Sequence, residues 1–323
     1  MSVDADLAAV ERLIAGLDPV ARQRLEKTVA GVRKLWHPNP GPQTLAVETQ
    51  ADELFYGGEA GGGKTDLLMG LALTEHKRSL LLRRTNKEAS KFIKRFSEIV
   101  GHRDGWNGQL QTFTFPERTV EFGGVQLEDD KQKHKGDPHD LIGYDEITDF
   151  SETQFRFING WNRAADVGQR TRVVATGNPP TNPEGLWVIK YWAPWLDPMH
   201  PNPAKPGELR WFTTIDGEDK EVDGPGPHEI PGEPEPVVAR SRTFIRARLS
   251  DNPDLSETNY AAVLSALPQE LRDAYRDGKF GASVRDDANQ VIPTAWVEAA
   301  QARWRSDGGV GLAMTAMGLD PAG

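Results

Sequence analysis

Two spacings of apolar residues alternate along this chain. Between residues 5 and 35, Leu7, Val10, Leu13, Ile14 and Leu17, then Val20, Leu25 and Val29, recur every three or four positions. This predicts a helical N-terminal appendage, broken at Asp18-Pro19. A turn-rich stretch follows at 37–45. Beyond it, short apolar runs alternate with amphipathic segments. Glu53-Leu-Phe-Tyr-Gly57, Ser79-Leu-Leu-Leu-Arg83, Leu141-Ile-Gly-Tyr-Asp145 and Thr171-Arg-Val-Val-Ala-Thr176 read as buried strands. Residues 64–76 and 86–100 read as helices, the second with Ala89, Phe92, Ile93, Phe96 and Val100 on one side. Gln111–Phe115 and Thr119–Phe122 alternate about a Pro-Glu-Arg turn and predict a hairpin. Strands alternating with helices predict an α/β fold with a mainly parallel central sheet flanked by helices.

Composition then sets boundaries. Ten of the 23 prolines fall within 194–236, which predicts a loop-rich insertion with a hairpin near Leu209–Ile215. Regular structure resumes at Arg240–Leu249, with helices expected at 256–265 and 268–276. Residues 1–35 are read as the appendage and 36–284 as the main domain. A linker with a helix follows at 285–309, and an apolar strand, Val310–Gly318, starts the segment 310–323. The chain has no cysteine, so disulfide frameworks, thiolate zinc sites and cysteine nucleophiles are excluded. No apolar run reaches membrane length, and the first residues lack the layout of a signal peptide. We therefore expect no membrane partner and a location inside a cell.

The strongest chemical signal is Gly58-Glu59-Ala60-Gly61-Gly62-Gly63-Lys64-Thr65, a G-x4-G-K-[ST] loop between a predicted strand and a predicted helix. Its glycines let successive N–H groups curl around an anion. Lys64 can reach the β- and γ-phosphates of ATP, and the Thr65 hydroxyl can bind Mg²⁺. Asp66 opens the helix whose N-terminus faces the phosphates. About eighty residues on, an apolar strand delivers Asp145 and Glu146. Asp145 is the candidate Mg²⁺ acid and Glu146 the candidate base for the attacking water. Read alone, the pair is as well explained as caps of the next helix; the upstream loop decides for catalysis. After a further strand, Thr176, Gly177 and Asn178 stand where a γ-phosphate can be sensed, although spacing alone favours a plain turn.

These segments, with Leu-Leu-Leu-Arg-Arg-Thr (80–85), Asp-Asn-Pro-Asp-Leu (251–255) and Ala-Leu-Pro-Gln-Glu-Leu-Arg (266–272), occur in an order that resembles the ATPase domain of the large terminase subunit of tailed double-stranded DNA viruses. The resemblance covers about residues 36–281. It implies a P-loop NTPase of the additional-strand, catalytic-glutamate type with a small insertion subdomain. It further implies an ATP-driven motor that moves double-stranded DNA through a portal into a procapsid, working as a homo-oligomeric ring with a small terminase subunit, in the host cytoplasm. Lys64 and Thr65 match the family's Walker A positions, Asp145 and Glu146 its Walker B acid and catalytic glutamate, and Thr176, Gly177 and Asn178 its coupling motif. Pro42-Gln43 resembles the segment that contacts adenine. The family also carries a ribonuclease-H-like nuclease domain whose first strand ends in a metal-binding aspartate. Gly318-Leu-Asp320-Pro-Ala resembles that strand, with Asp320 as one ligand. One carboxylate cannot hold a two-metal site, so no nuclease activity is expected of this chain.

The loop itself holds no arginine, so a charge-stabilising side chain must come from elsewhere. Candidates are Arg83 and Arg84, or Lys131, Lys133 and Lys135 acting on a neighbouring subunit. The net charge of −10 argues at first against a nucleic-acid partner. Residues 77–95, however, hold eight Lys or Arg against Glu88 alone, and a motor needs only a local basic track. Arg240, Arg242, Arg246 and Arg248 are expected to share one strand face and to line a pore or a subunit interface. A helicase- or recombinase-like P-loop motor is the alternative reading, and a nucleotide switch without turnover is disfavoured by Glu146.

Overall fold

The computed structural model describes residues 35–280, apart from 165, 216 and 217, together with residues 292, 296 and 300. The expected N-terminal appendage, the linker, the last strand and Asp320 lie outside the described residues.

The predicted strands come together because each is an apolar run too short to bury itself. The chain passes through α1 (Pro42–Glu48), β1 (Glu53–Gly58), α2 (Lys64–Thr74), β2 (Arg78–Arg83) and α3 (Asn86–Val100). It continues through β3 (Trp106–Asn107), β4 (Thr112–Phe115), β5 (Arg118–Gly124), β6 (Leu141–Tyr144), α4 (Glu152–Asn159) and β7 (Arg172–Gly177). Then follow α5 (Trp187–Tyr191), α6 (Ala193–Leu196), β8 (Arg210–Ile215), β9 (Glu218–Val222) and β10 (Arg240–Ala247). Among the described residues these strands form one sheet, in the order β3-β4-β5-β2-β6-β7-β1-β10-β8-β9. The six strands from β5 to β10 in that order are parallel, and antiparallel strands extend both edges.

Two consequences follow. β7 lies between the strand that leads into the glycine loop and the strand that ends in Asp145-Glu146. This inserted strand is the arrangement expected from the sequence for a P-loop NTPase fold with a mainly parallel sheet flanked by helices. The hairpin expected in the proline-rich stretch is β8–β9, and it joins the central sheet through β10.

Alternation along the strands splits the core between the two faces. Leu54, Tyr56, Leu81 and Val174 pack with Leu67, Leu68 and Phe96 of α2 and α3 on one face. Phe55, Leu80, Leu82, Ile142 and Phe244 pack with Phe155 and Trp192 on the other. α3 starts where predicted because Thr85 and Glu88 form a capping box, and it stops at Gly101 in the left-handed region. The helix expected at 268–276 is one short turn, Gln269–Leu271, running into a π-turn, Arg272–Arg276. That at 256–265 is confined to Tyr260–Ser265, after a separate turn at Pro253–Ser256.

Candidate active site

The glycine loop leaves the end of β1 and re-enters at α2, beyond the C-terminal ends of the parallel strands, where ligands of open α/β sheets bind. Gly58 takes a φ of 141°, and a Cβ there would lie 2.5 Å from the Ala247 carbonyl oxygen. Gly63 caps α2 in the left-handed region, at φ 71°. The loop is pinned at its first half. The Glu59 N–H donates to Ala247 O at 2.9 Å and the Ala60 N–H to Tyr275 O at 2.7 Å. No acceptor among the described residues takes the N–H groups of Gly61 to Lys64. These groups and the start of α2 border a cavity of about 560 Å³, which Arg95, Glu146, Asn178, Asn252, Leu255 and Tyr260 also line. Unspent amide donors at a helix N-terminus suit a phosphate chain.

The catalytic candidates converge at the edge of this cavity. The Thr65 hydroxyl donates to Asp145 Oδ2 at 3.0 Å, and the Thr176 hydroxyl to Asp145 Oδ1 at 2.6 Å. Arg83 forms an ion pair with the same Oδ2. The Lys64 ammonium reaches Asn178 Oδ1 at 2.9 Å and Glu59 O at 2.5 Å. Asn178 also serves Glu146: its backbone N–H donates to Oε2 at 3.2 Å and its side-chain amide to the same oxygen at 3.3 Å. Glu146 adopts φ 58°, a conformation that costs a non-glycine residue on the order of 1 kcal/mol and collects at functional sites. Burial, and then the adjacent Asp145 carboxylate, raise the Glu146 carboxyl above its ordinary range, against the pull of Lys64 and Arg83. Burial pulls the Lys64 ammonium down, against Glu146, Asp145 and Glu59. A carboxylate raised toward neutrality is a better proton acceptor for water than an exposed one.

Asp145 and Thr65 present two hard oxygen donors side by side, which fits a magnesium ion. Thr176 fixes the orientation of the carboxylate from its far side.

The remaining candidates are placed differently from one another. Asp66 lines the cavity, held by the Arg95 guanidinium at 2.6 and 3.0 Å. Gln43 is buried beneath the loop, where its amide donates to Gly63 O at 2.9 Å and its Oε1 accepts from the Asn39 N–H at 2.6 Å. Its amide nitrogen thus braces Gly63, and its carbonyl oxygen holds the Asn39 backbone. Arg84 points away from the loop, to Val125 O at 3.0 Å and Gln154 Oε1 at 2.9 Å. Lys131 and Lys133 pair with Glu128 and Asp130 on their own 3₁₀ turn, and Lys135 is exposed.

The expected arginine face on β10 does not exist as an exposed track. Arg242 is buried between the rings of Tyr191 and Phe212, at 3.6 and 4.4 Å, and is paired with Glu53 and Asp219. Arg240 pairs with Glu53 at 3.3 Å, and Arg246 donates to Asp277 O at 2.5 Å. Arg248 lies past the strand end, at the cap of a 3₁₀ turn. The reason is tertiary: Tyr191, Phe212, Glu53 and Asp219 close over Arg242, while Arg240 and Arg246 stay part-exposed but are held by Glu53 and the Asp277 carbonyl. Sequence reasoning missed Arg95, Asn252, Leu255 and Tyr260 as cavity residues. The Asn252 amide donates to Gly61 O at 2.7 Å; Asp-Asn-Pro was a visible turn signal, but nothing in it points to the loop.

No protein-family model and no curated protein matches the chain. Solved structures do. The large terminase of the thermophilic bacteriophage D6E is 12% identical at a TM-score of 0.48, over 75% of this chain and 53% of that one. The large terminase ATPase domain of Thermus phage P74-26 is 13% identical at a TM-score of 0.42, over 77% of this chain and 95% of that one. The large terminase of bacteriophage HK97 is 13% identical at a TM-score of 0.35, over 48% and 36%. The match spans about half the length of the D6E protein. Among the described residues, no helix is long and apolar enough to cross a membrane.

Proposed function

We propose that this chain hydrolyses ATP and couples hydrolysis to the translocation of double-stranded DNA, as the motor domain of a viral terminase large subunit. The observation that carries the hydrolytic part is the position of Asn178. It stands at the end of the inserted strand β7 and contacts both the phosphate-loop lysine and the candidate base, Glu146. A site for nucleotide binding alone has no need to hold a buried carboxylate beside the lysine.

In this reading the loop amides and Lys64 hold the phosphates, and Glu146 accepts a proton from the attacking water. Thr65 and Asp145 are the residues that would hold magnesium, which when bound neutralises charge on the phosphate oxygens. Arg83 and Arg95 are the nearby cations of the same chain. Asn178 can sense a phosphate on Lys64: one of the three ammonium donors is on Asn178 Oδ1, and a phosphate that draws the lysine toward itself releases that bond. That release changes the hold on Glu146 and on the end of β7, which is a route from chemistry to movement.

The terminase assignment rests on the order of motifs in the chain. A DNA-facing surface is supported by Lys87, Lys91 and Lys94, exposed on α3 at positions i, i+4 and i+7, with no ion pair among the described residues. The portal, the procapsid, the small terminase subunit and a ring of subunits belong to this proposal. The test is ATP-dependent filling of procapsids by the full-length protein, comparing wild type with Lys64→Ala. Packaging by wild type alone supports the proposal. ATP-driven strand unwinding without packaging would move the assignment to a helicase-like motor.

A further inference from the structure

A second cluster of chemistry-bearing side chains lies at the opposite end of β6. His139 is buried, and its Nδ1 lies 3.2 Å from the Asp137 carbonyl oxygen. A carbonyl only accepts, so Nδ1 carries the hydrogen, and in the neutral ring Nε2 carries the lone pair. Nε2 faces Glu121 Oε2 at 3.4 Å and Asp137 Oδ2 at 3.8 Å. A lone pair set against two carboxylate oxygens calls for a positive charge between them, either a proton on Nε2 shared with Glu121 or a metal ion. The three donor atoms are all within 4.8 Å of one another. A first-row ion sits about 2.0–2.2 Å from nitrogen and oxygen donors, so a small closure of the side chains brings all three onto one ion.

A second observation is independent of the first. His134 is 7% exposed, and its Nε2 has no hydrogen-bond partner. Its ring stands over Gly123, with Nε2 3.6 Å from where a Cβ there would be. Gly123 is two residues from Glu121 on the same face of β5, and His134 interacts electrostatically with Glu121, His139 and Asp137. This partnerless imidazole nitrogen borders the cluster without joining the three donors that lie within 4.8 Å of one another. Arg78, on the outer oxygen of Asp137 at 2.9 Å, leaves the inner oxygen to the cluster. The backbone carbonyl on Nδ1 of His139 is the kind of outer partner that orients a metal-ligating imidazole.

We propose that Glu121, Asp137 and His139 bind a divalent transition-metal ion of the zinc class, with water completing its shell. Mixed imidazole and carboxylate donors favour such an ion over magnesium or calcium. The site is separate from the phosphate loop, because His139 precedes β6 and Asp145 follows it, about 20 Å apart along an extended strand. Its effect is to clamp the 128–140 segment onto β5 and so to fix the entrance to the strand that carries Asp145 and Glu146.

The test is titration of the metal-stripped full chain with zinc alone, without nucleotide, together with X-ray absorption of the zinc-loaded protein. The expected result is one equivalent bound reversibly to chelator, a higher melting temperature, and a shell of imidazole nitrogen and oxygen. His139→Asn and Glu121→Gln should each weaken binding about ten-fold or more, while Asp145→Asn should leave it unchanged. Zinc binding that survives both cluster variants, or that Asp145→Asn removes, overturns the proposal. If the cluster variants do not fold, wild type decides: absence of binding, or a shell without imidazole, overturns it equally.

Discussion

Arg83 and Asp145 are paired across neighbouring strands, and the guanidinium sits on the same carboxylate oxygen that accepts the Thr65 hydroxyl. That oxygen is the one best placed for magnesium, so the arginine and the ion compete for it. Arg83→Gln should therefore lower the magnesium concentration that half-saturates ATP binding. A part-buried ion pair worth about 1 kcal/mol corresponds to roughly a five-fold shift. Magnesium titration of ATP binding measures it; an unchanged midpoint would mean that the pair does not gate the ion.

Asn178 is the bridge between Lys64 and Glu146. Asn178→Ala should leave the affinity for ATP within a few-fold of wild type, since the loop amides and Lys64 remain. Turnover should fall about 10–100-fold, the scale set by misplacing a catalytic group by an ångström. Steady-state ATPase assays beside equilibrium nucleotide binding separate the two. Equal losses in both would make Asn178 a part of the binding pocket only.

The lysines of α3 are predicted to contact DNA phosphates. Replacing Lys87, Lys91 and Lys94 by Gln should weaken DNA binding for all sequences alike. The slope of log K against log salt should flatten by about 0.9 for each lost contact, roughly 2.7 in all. Binding measured from 50 to 200 mM salt reads this out. An unchanged slope would place the DNA surface elsewhere.

Asp219 ties β9 to Arg156 of α4 and to the buried Arg242. Burial pushes its carboxyl up, but Arg156 and Arg242 more than offset this and hold it below the usual range. A depressed folded-state pKa stabilises above the unfolded value, about 3.9, and that stability is lost as pH falls through the lower folded value. Asp219→Asn should cost about 2 kcal/mol at neutral pH and should flatten the decline of stability below about pH 4. Urea unfolding at pH 7 and pH 3.5 checks both.

Much of this was legible in the sequence because it is local. Leu80-Leu-Leu82 and Leu141-Ile142 are too short and too apolar to be anything but buried strands, and α3 carries its own start and stop in Thr85, Glu88 and Gly101. The loop and its acids were legible because phosphate chemistry demands those residue types in that order. What failed was non-local. Alternating arginines on β10 read as an exposed face, yet Tyr191, Phe212, Glu53 and Asp219 arrive from four other segments to bury Arg242. Gln43 has its role only because α1 packs beneath Gly63. The double contact of Asn178 depends on β7 lying between β1 and β6, and strand order is not written in any one strand.

The claim on which the rest depends is that Glu146 activates water. Glu146→Gln keeps the size and most hydrogen bonds of the side chain but removes its basicity. Single-turnover ATP hydrolysis should fall by about 100-fold or more, while the affinity for ATP stays within a few-fold of wild type. Undiminished hydrolysis by Glu146→Gln would contradict the account.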